Sequence, residues 1–237
     1  MSRRTLVYFV CSPHSRTGVT TTARLLTDYY LSCGVTVEGF DTDAREPFYA
    51  ERFSDLARIV DILDVRGQIE LFDHLLIDDD RPKIVDVWSH SFDRLFATIA
   101  EIGFLEEAAR ARVTPVVLFQ ADTSQMAAKN CRLLTTTWPD LWVSVVHNEG
   151  ASPLGFDARE TLANYRARGK LVIPRLERPI ARFLDSPDFS LSGFLREPPP
   201  AMSIVLRAAL RNWLLPIFTQ LHSFELRLAL QSSQFLR

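Results

Sequence analysis

Apolar residues recur along the chain in two rhythms. Short continuous runs bounded by turn residues have the length and composition of parallel strands buried on both faces. They are TLVYFV (5–10), VTVEGFDTD (35–43), PKIVDVW (82–88), VTPVVLFQAD (113–122), LWVSVVHN (141–148) and KLVIPRL (170–176). Between them lie segments whose apolar residues return at helical spacing. These are TTTARLLTDYYLSCG (20–34, stopping at Gly34), 48–78 in two or three helical pieces with Gly67 as the break, 92–111 as one long helix, 124–138 and 156–169. Strict alternation of strand and helix predicts right-handed βαβ crossovers, hence an α/β fold with a doubly wound, mostly parallel sheet flanked by helices.

The pattern changes at REPPP (196–200), where successive prolines fix φ and remove donors. This predicts a domain over 1–195, a proline-rich linker over 196–200 and a C-terminal helical appendage over 201–237. The last segment reads as one helix kinked at Pro216 or as two short ones. Its apolar residues, Leu206, Leu210, Trp213, Leu214, Leu215, Ile217, Phe218, Leu221, Phe224, Leu226, Leu228 and Leu230, leave little polar face and require a cover. The first expectation is packing on the domain's own sheet, then a homodimer or partner-protein interface, then peripheral membrane contact, which Arg207, Arg211 and Arg227 support poorly.

At 237 residues with 47% hydrophobic and 24% charged content, the chain can bury one sizeable core. A formal net charge of −2 gives no global reason for nucleic acid or an acidic membrane as partner, so DNA binding lacks support from charge. Cys11, Cys33 and Cys131 stand at unrelated spacings, which indicates neither a disulfide framework nor a zinc site. The N-terminus reads as a first strand rather than a signal peptide, and no run approaches the roughly 20 apolar residues of a membrane span, so a cytoplasmic location is expected.

In an open α/β sheet the loop after the first strand is the usual phosphate site. Here it reads SPHSRTGVTTTARLL. It resembles the phosphate-binding loop of the ParA/MinD family, whose pattern runs lysine, two glycines, a variable residue, glycine, lysine, threonine. The resemblance covers about residues 5–195 through the order and spacing of elements. It places Gly18 on the last glycine, Thr20 on the magnesium-ligating hydroxyl, and Thr21 on the helix beyond. His14 then stands at the signature lysine, Ser15 and Arg16 at the two glycines, Thr17 at the variable position, and Val19 at the lysine that reaches the phosphates. The only lysines, Lys83, Lys129 and Lys170, are remote in sequence. What remains to attract phosphate is the positive end of the first helix, the Thr20 hydroxyl and the Arg16 guanidinium. Without a ligand, the same residues make a strand-to-helix turn with Gly18 at the bend and a threonine as cap.

The resemblance assigns three further carboxylates and one amide. Asp41 and Asp43 in GFDTD match the Asp-x-Asp after the second strand, with Asp43 positioning the attacking water and Asp41 assigned, with Thr20 and Asp86, to the metal site. Asp86 in KIVDVWSHSF matches the acidic residue that orients magnesium, although Trp88, Ser89 and His90 follow it where relatives carry small residues and proline. Asn148 matches the asparagine that reads the purine base. Read as residues alone, Asp41 and Asp43 suit a metal-bound water or a helix cap, and Asn148 a turn. The subfamily most similar to DTDAREPF and IPRLERPIARFLDSPDFSLSGFL is that of ParA-like proteins of conjugative transfer modules. ATP and Mg2+ are the cofactors the resemblance implies, with a nucleotide-free protein the equal alternative. The expected function is that of a homodimeric regulator or adaptor in plasmid transfer, partition or intracellular positioning, its nucleotide binding weak or lost. The alternatives are an active Mg-ATPase with a non-standard loop and a purely structural partner-binding module. His14, His74, His90, His147 and His222 are scattered without metal-ligand spacing, and His90 and His147 are expected at strand ends on one rim.

Overall fold

The computed structural model describes residues 4–152, 158–186 and 189–234. Seven strands, β1 (Thr5–Cys11), β2 (Glu38–Asp41), β3 (Ala57–Ile59), β4 (Lys83–Asp86), β5 (Val113–Ala121), β6 (Trp142–Asn148) and β7 (Gly169–Ile173), form one sheet in the order β3-β2-β4-β1-β5-β6-β7. Every neighbouring pair is parallel, which fits strands whose side chains are buried on both faces. The chain winds outward from β1 on one side and then returns to its other side at β5. That reversal places a crevice at the carboxyl end of β1.

One face of the sheet is covered by α1 (Val19–Ser32), α2 (Phe48–Arg52), α8 (Arg178–Asp185), α9 (Leu191–Arg196) and α10 (Ile204–Gln234). The other is covered by α3 (Val65–Leu75), α4 (Phe92–Glu101), α5 (Phe104–Arg110), α6 (Gln125–Thr137) and α7 (Ala158–Ala163). The α/β class and the helix-flanked parallel sheet are those read from the sequence. Three local expectations are corrected. The region 48–78 contains a three-residue edge strand, β3, and Gly67 lies inside α3, where Asp64 caps its amide at 2.7 Å. A Cβ on Gly67 would fall 1.9 Å from the Asp61 carbonyl oxygen, so close packing, not a break, explains that glycine. The helix expected over 92–111 is two, separated at Gly103 with φ 62. Residues 156–157 of the predicted 156–169 helix lie outside the described residues, as do 235–237 of the C-terminal segment.

After turns and bends over 197–203, α10 runs as one helix through Pro216. Its inner face, Leu210, Trp213, Leu214, Ile217, Phe218, Leu221, Phe224 and Leu228, is buried in the same core as α1 and the sheet. Polar side chains fix it further. Gln220 donates to the Val172 carbonyl at 3.0 Å and accepts from the Val172 amide at 2.9 Å, occupying the open hydrogen-bonding edge of β7. Trp213 donates to the Pro174 carbonyl at 2.7 Å. Beneath the helix, buried Glu225 accepts from Tyr29 at 2.7 Å and from Tyr30 at 2.6 Å, and Tyr30 shares a 2.7 Å hydrogen bond with Tyr8 on β1. Burial, first, and the neighbouring carboxylate push both tyrosine hydroxyls well above their ordinary range, so they stay protonated donors.

Removing the acceptor takes from each of those buried phenols its shortest hydrogen bond. Glu225→Ala is expected to cost about 3 kcal/mol, which urea denaturation followed by circular dichroism measures.

Candidate functional site

A cleft of about 1000 Å³ opens at the carboxyl ends of β1, β2, β4, β6 and β7. His14, Ser15, Arg16, Gly18, Val19, Thr20 and Thr21 line it from the loop after β1 and the start of α1. Asp41, Asp43, Asp86 and Asn148 line it from the other strand ends. The fold thus collects every sequence-predicted site residue except Thr17, which is buried and donates through Oγ1 to the His14 carbonyl at 3.3 Å.

The loop keeps an unusual backbone. Arg16 takes a left-handed conformation with φ 60, at a position where glycine is at ease, and Gly18 follows with φ 93. Gly18 has a second reason to be glycine: a Cβ there would lie 2.2 Å from Asn148 Nδ2. No side chain caps α1, and its first intrahelical bond is the 3.0 Å contact from the Thr22 amide to the Gly18 carbonyl. The amides of Val19, Thr20 and Thr21 therefore have no acceptor within the helix, and the positive end of its dipole faces the cleft.

Opposite that positive end stand the carboxylates. Parallel register pairs Asp41 on β2 with Asp86 on β4. Asp86 is buried, bonded to the Thr20 hydroxyl, and among the described residues it has no cationic partner. Burial, with a smaller contribution from Asp41, pushes its carboxyl up to about 8. Asp41 is raised by burial too, although main-chain hydrogen bonds oppose the shift. Its Oδ1 accepts from the Asp43 amide at 3.0 Å, and its Oδ2 from Tyr49 at 3.0 Å and Ala50 at 3.1 Å, so it caps α2. Asp43 Oδ1 accepts from the amides of Arg45 and Glu46 at 3.0 and 3.1 Å. Asn148 spends its Oδ1 on the amides of Gly150 and Ala151, at 2.9 and 3.3 Å, in the turn it begins.

No three His, Cys, Asp or Glu side chains among the described residues are placed to hold a metal by themselves. The donors that fit magnesium are the Thr20 hydroxyl and the Asp86 carboxylate. Together they suit an ion that brings its own phosphate and water ligands.

Several lining groups were not assigned to the site from the sequence. Arg175 and Arg178 follow β7, Arg24 projects from α1, and Trp213 reaches in from α10. Arg175 is anchored by a 2.6 Å bond to the Ser152 carbonyl, Arg24 by one of 2.5 Å to Leu184. IPRLER after an apolar run carried a signal for the first two, and nothing local marked Trp213. His14 Nδ1 lies 2.5 Å from Asp122 Oδ2 at the end of β5, a pairing across 108 residues. His90 and His147 do not share a rim: His147 is a fully buried residue inside β6, whereas His90 sits in a 3-10 turn and stacks on Trp88 at 4.4 Å.

No protein-family model and no curated protein matches the sequence. Among solved structures, the chain is similar to a nucleotide-binding protein from Archaeoglobus fulgidus in complex with ADP, at 12% identity and a TM-score of 0.49, covering 82% of this chain and 88% of that one. Among the described residues, no helix is long and apolar enough to cross a membrane.

The raised Asp86 carboxyl gives a pH dependence of defined sign. Its proton is held more tightly in the folded than in the unfolded chain, so the stability it contributes is complete below about pH 4 and is lost as pH rises to about 8. Asp86→Asn removes that loss. By pH 8 the variant is expected to melt roughly 5–10 °C above the wild type, with the two curves converging toward pH 4, as calorimetry across that range would show.

Proposed function

We propose that the protein binds a magnesium-nucleotide at this cleft and acts as a ParA/MinD-like regulator with little turnover of its own. The observation that carries the reading is the convergence of three uncapped helix amides, the Thr20 hydroxyl, the Arg16 guanidinium and the buried Asp86 carboxyl on one cavity. Phosphate oxygens would accept from the amides of Val19, Thr20 and Thr21, where the helix dipole favours negative charge. Arg16 makes no ion pair with a described residue and lines the cleft, so its guanidinium is available to the same phosphates. Thr20 and Asp86 would hold magnesium, which supplies charge neutralisation across the phosphates. Ile173, Pro174, Leu176 and Trp213 offer an apolar wall for the base, beside Asn148 and Gly150.

Low turnover follows from what the cleft lacks. Val19 places an aliphatic side chain where the resemblance expects the phosphate-reaching lysine. Lys83 is fully buried and bonded to Asp79 at 2.7 Å, and neither Lys129 nor Lys170 lines the cleft. A preorganised cation at the transferring phosphoryl group is a large part of such catalysis, and Arg16 in a left-handed loop offers it from another direction. The homodimer and the role in transfer, partition or positioning rest on the resemblance in sequence. A protein partner at residues 201–237 is supported by the outward face of α10, where Ile204, Leu215 and Leu226 are exposed.

Titration with a fluorescent ATP analogue in magnesium tests the reading. Saturable binding weakened at least about tenfold by Thr20→Ala is the expected result, and no binding at millimolar ligand would overturn it.

A further inference from the structure

The pairing of His14 with Asp122 is not needed for the turn after β1, and it sits on the ligand side. His14 lines the cleft with its side chain 40% exposed. Its Nδ1 is 2.5 Å from Asp122 Oδ2, and the Ser124 hydroxyl lies 3.4 Å from the same nitrogen. Asp122 is itself fixed, because Tyr165 accepts from its amide at 3.1 Å and donates to its carbonyl at 2.8 Å, while Asp122 Oδ1 accepts from the Ser124 amide at 2.8 Å. The carboxylate can only accept, so Nδ1 carries the proton and the ring is held in one orientation. Nε2 makes no hydrogen bond with a described residue and is the nitrogen left for a ligand.

We infer that His14, oriented by Asp122, is a phosphate-contacting residue whose Nε2 donates to a nucleotide phosphate, so that binding takes up a proton. With Nδ1 already protonated, Nε2 becomes a donor only in the imidazolium form. A phosphate oxygen, which is an acceptor, selects that form over the neutral ring. Asp122 is the carboxylate facing His14 from the β5 end, Ser124 faces it from the start of α6, and Arg16 is the other cation of its own loop. The pair thereby returns to the cleft a cation that appears when ligand arrives and acid favours. This inference rests on the nucleotide reading above and adds a protonation-dependent control to the same site.

Calorimetric titration of ADP in excess EDTA, repeated at one pH in two buffers of different ionisation enthalpy, counts the protons taken up on binding. Leaving out magnesium keeps metal-linked release from Asp86 out of the count. Wild type is expected to take up a fraction of a proton. His14→Gln, which keeps a polar side chain on an exposed loop, should lose that uptake and about tenfold in affinity, the worth of one charge-assisted hydrogen bond. Asp122→Asn, acting through ring position, should lower affinity and change the proton count while leaving the Tyr165 contacts to its backbone in place. ADP binding to wild type with the same affinity and proton count in His14→Gln would overturn the inference and leave the nucleotide reading standing. Absence of ADP binding to wild type, together with no binding of the fluorescent ATP analogue in magnesium, would overturn both.

Discussion

The parallel register of β1, β2 and β4 is the constraint on which the cleft depends. It brings Val10, Asp41 and Asp86 to one level, so two carboxylates end neighbouring strands directly across from the uncapped start of α1. A shift of one residue would turn each acidic side chain to the opposite face of the sheet. It is enforced by hydrophobic burial on both faces, since Val7, Phe9, Val85 and Phe40 pack one core while Tyr8, Val10 and Ile84 pack the other. The polar ends are where that packing stops. Asp41 is consumed in capping α2, and Asp86 is bonded to the Thr20 hydroxyl with no cationic partner among the described residues.

Charge decides the character of the site. A buried carboxylate without a cation is costly, and for Asp86, which has no cationic partner among the described residues, burial shifts the balance toward the protonated form. Without a lysine in the cleft, the attraction for anions falls to the amides of α1 and to the lining arginines, Arg16, Arg24, Arg175 and Arg178. Fixed helix dipoles of this kind favour phosphate. Tight association of α10 sets the cleft's far wall: Gln220 closes the β7 edge, Glu225 ties the helix to Tyr29 and Tyr30, and Trp213 enters the cavity.

Much of this was legible in the sequence, and the rest was not for identifiable reasons. Continuous apolar runs marked six of the seven strands because burial on both faces leaves no polar alternation to confuse them. The missing one, β3, has three residues within a segment rich in helix formers, too short for any period to show. Gly67 looked like a break because the close approach of the Asp61 carbonyl that requires it is a tertiary fact. At the site, Thr20, Asp43 and Asp86 were visible as residues at strand ends and helix starts, whereas their surroundings were not. The helix-cap reading of Asp41 was open in the sequence and its amide partners lie two to nine residues away, whereas the approach of Asn148 to Gly18 depends on tertiary folding. His14 with Asp122 spans 108 residues and carries no local signal beyond an aspartate ending an apolar run.

The central claim is that the uncapped amides of α1, rather than a lysine, receive the phosphates. Amide resonances of an isotopically labelled sample, followed during titration with magnesium-ADP, test it residue by residue. The account predicts saturable shifts largest at Gly18, Val19, Thr20 and Thr21. Unmoved resonances at those four residues with ligand at millimolar concentration would contradict it.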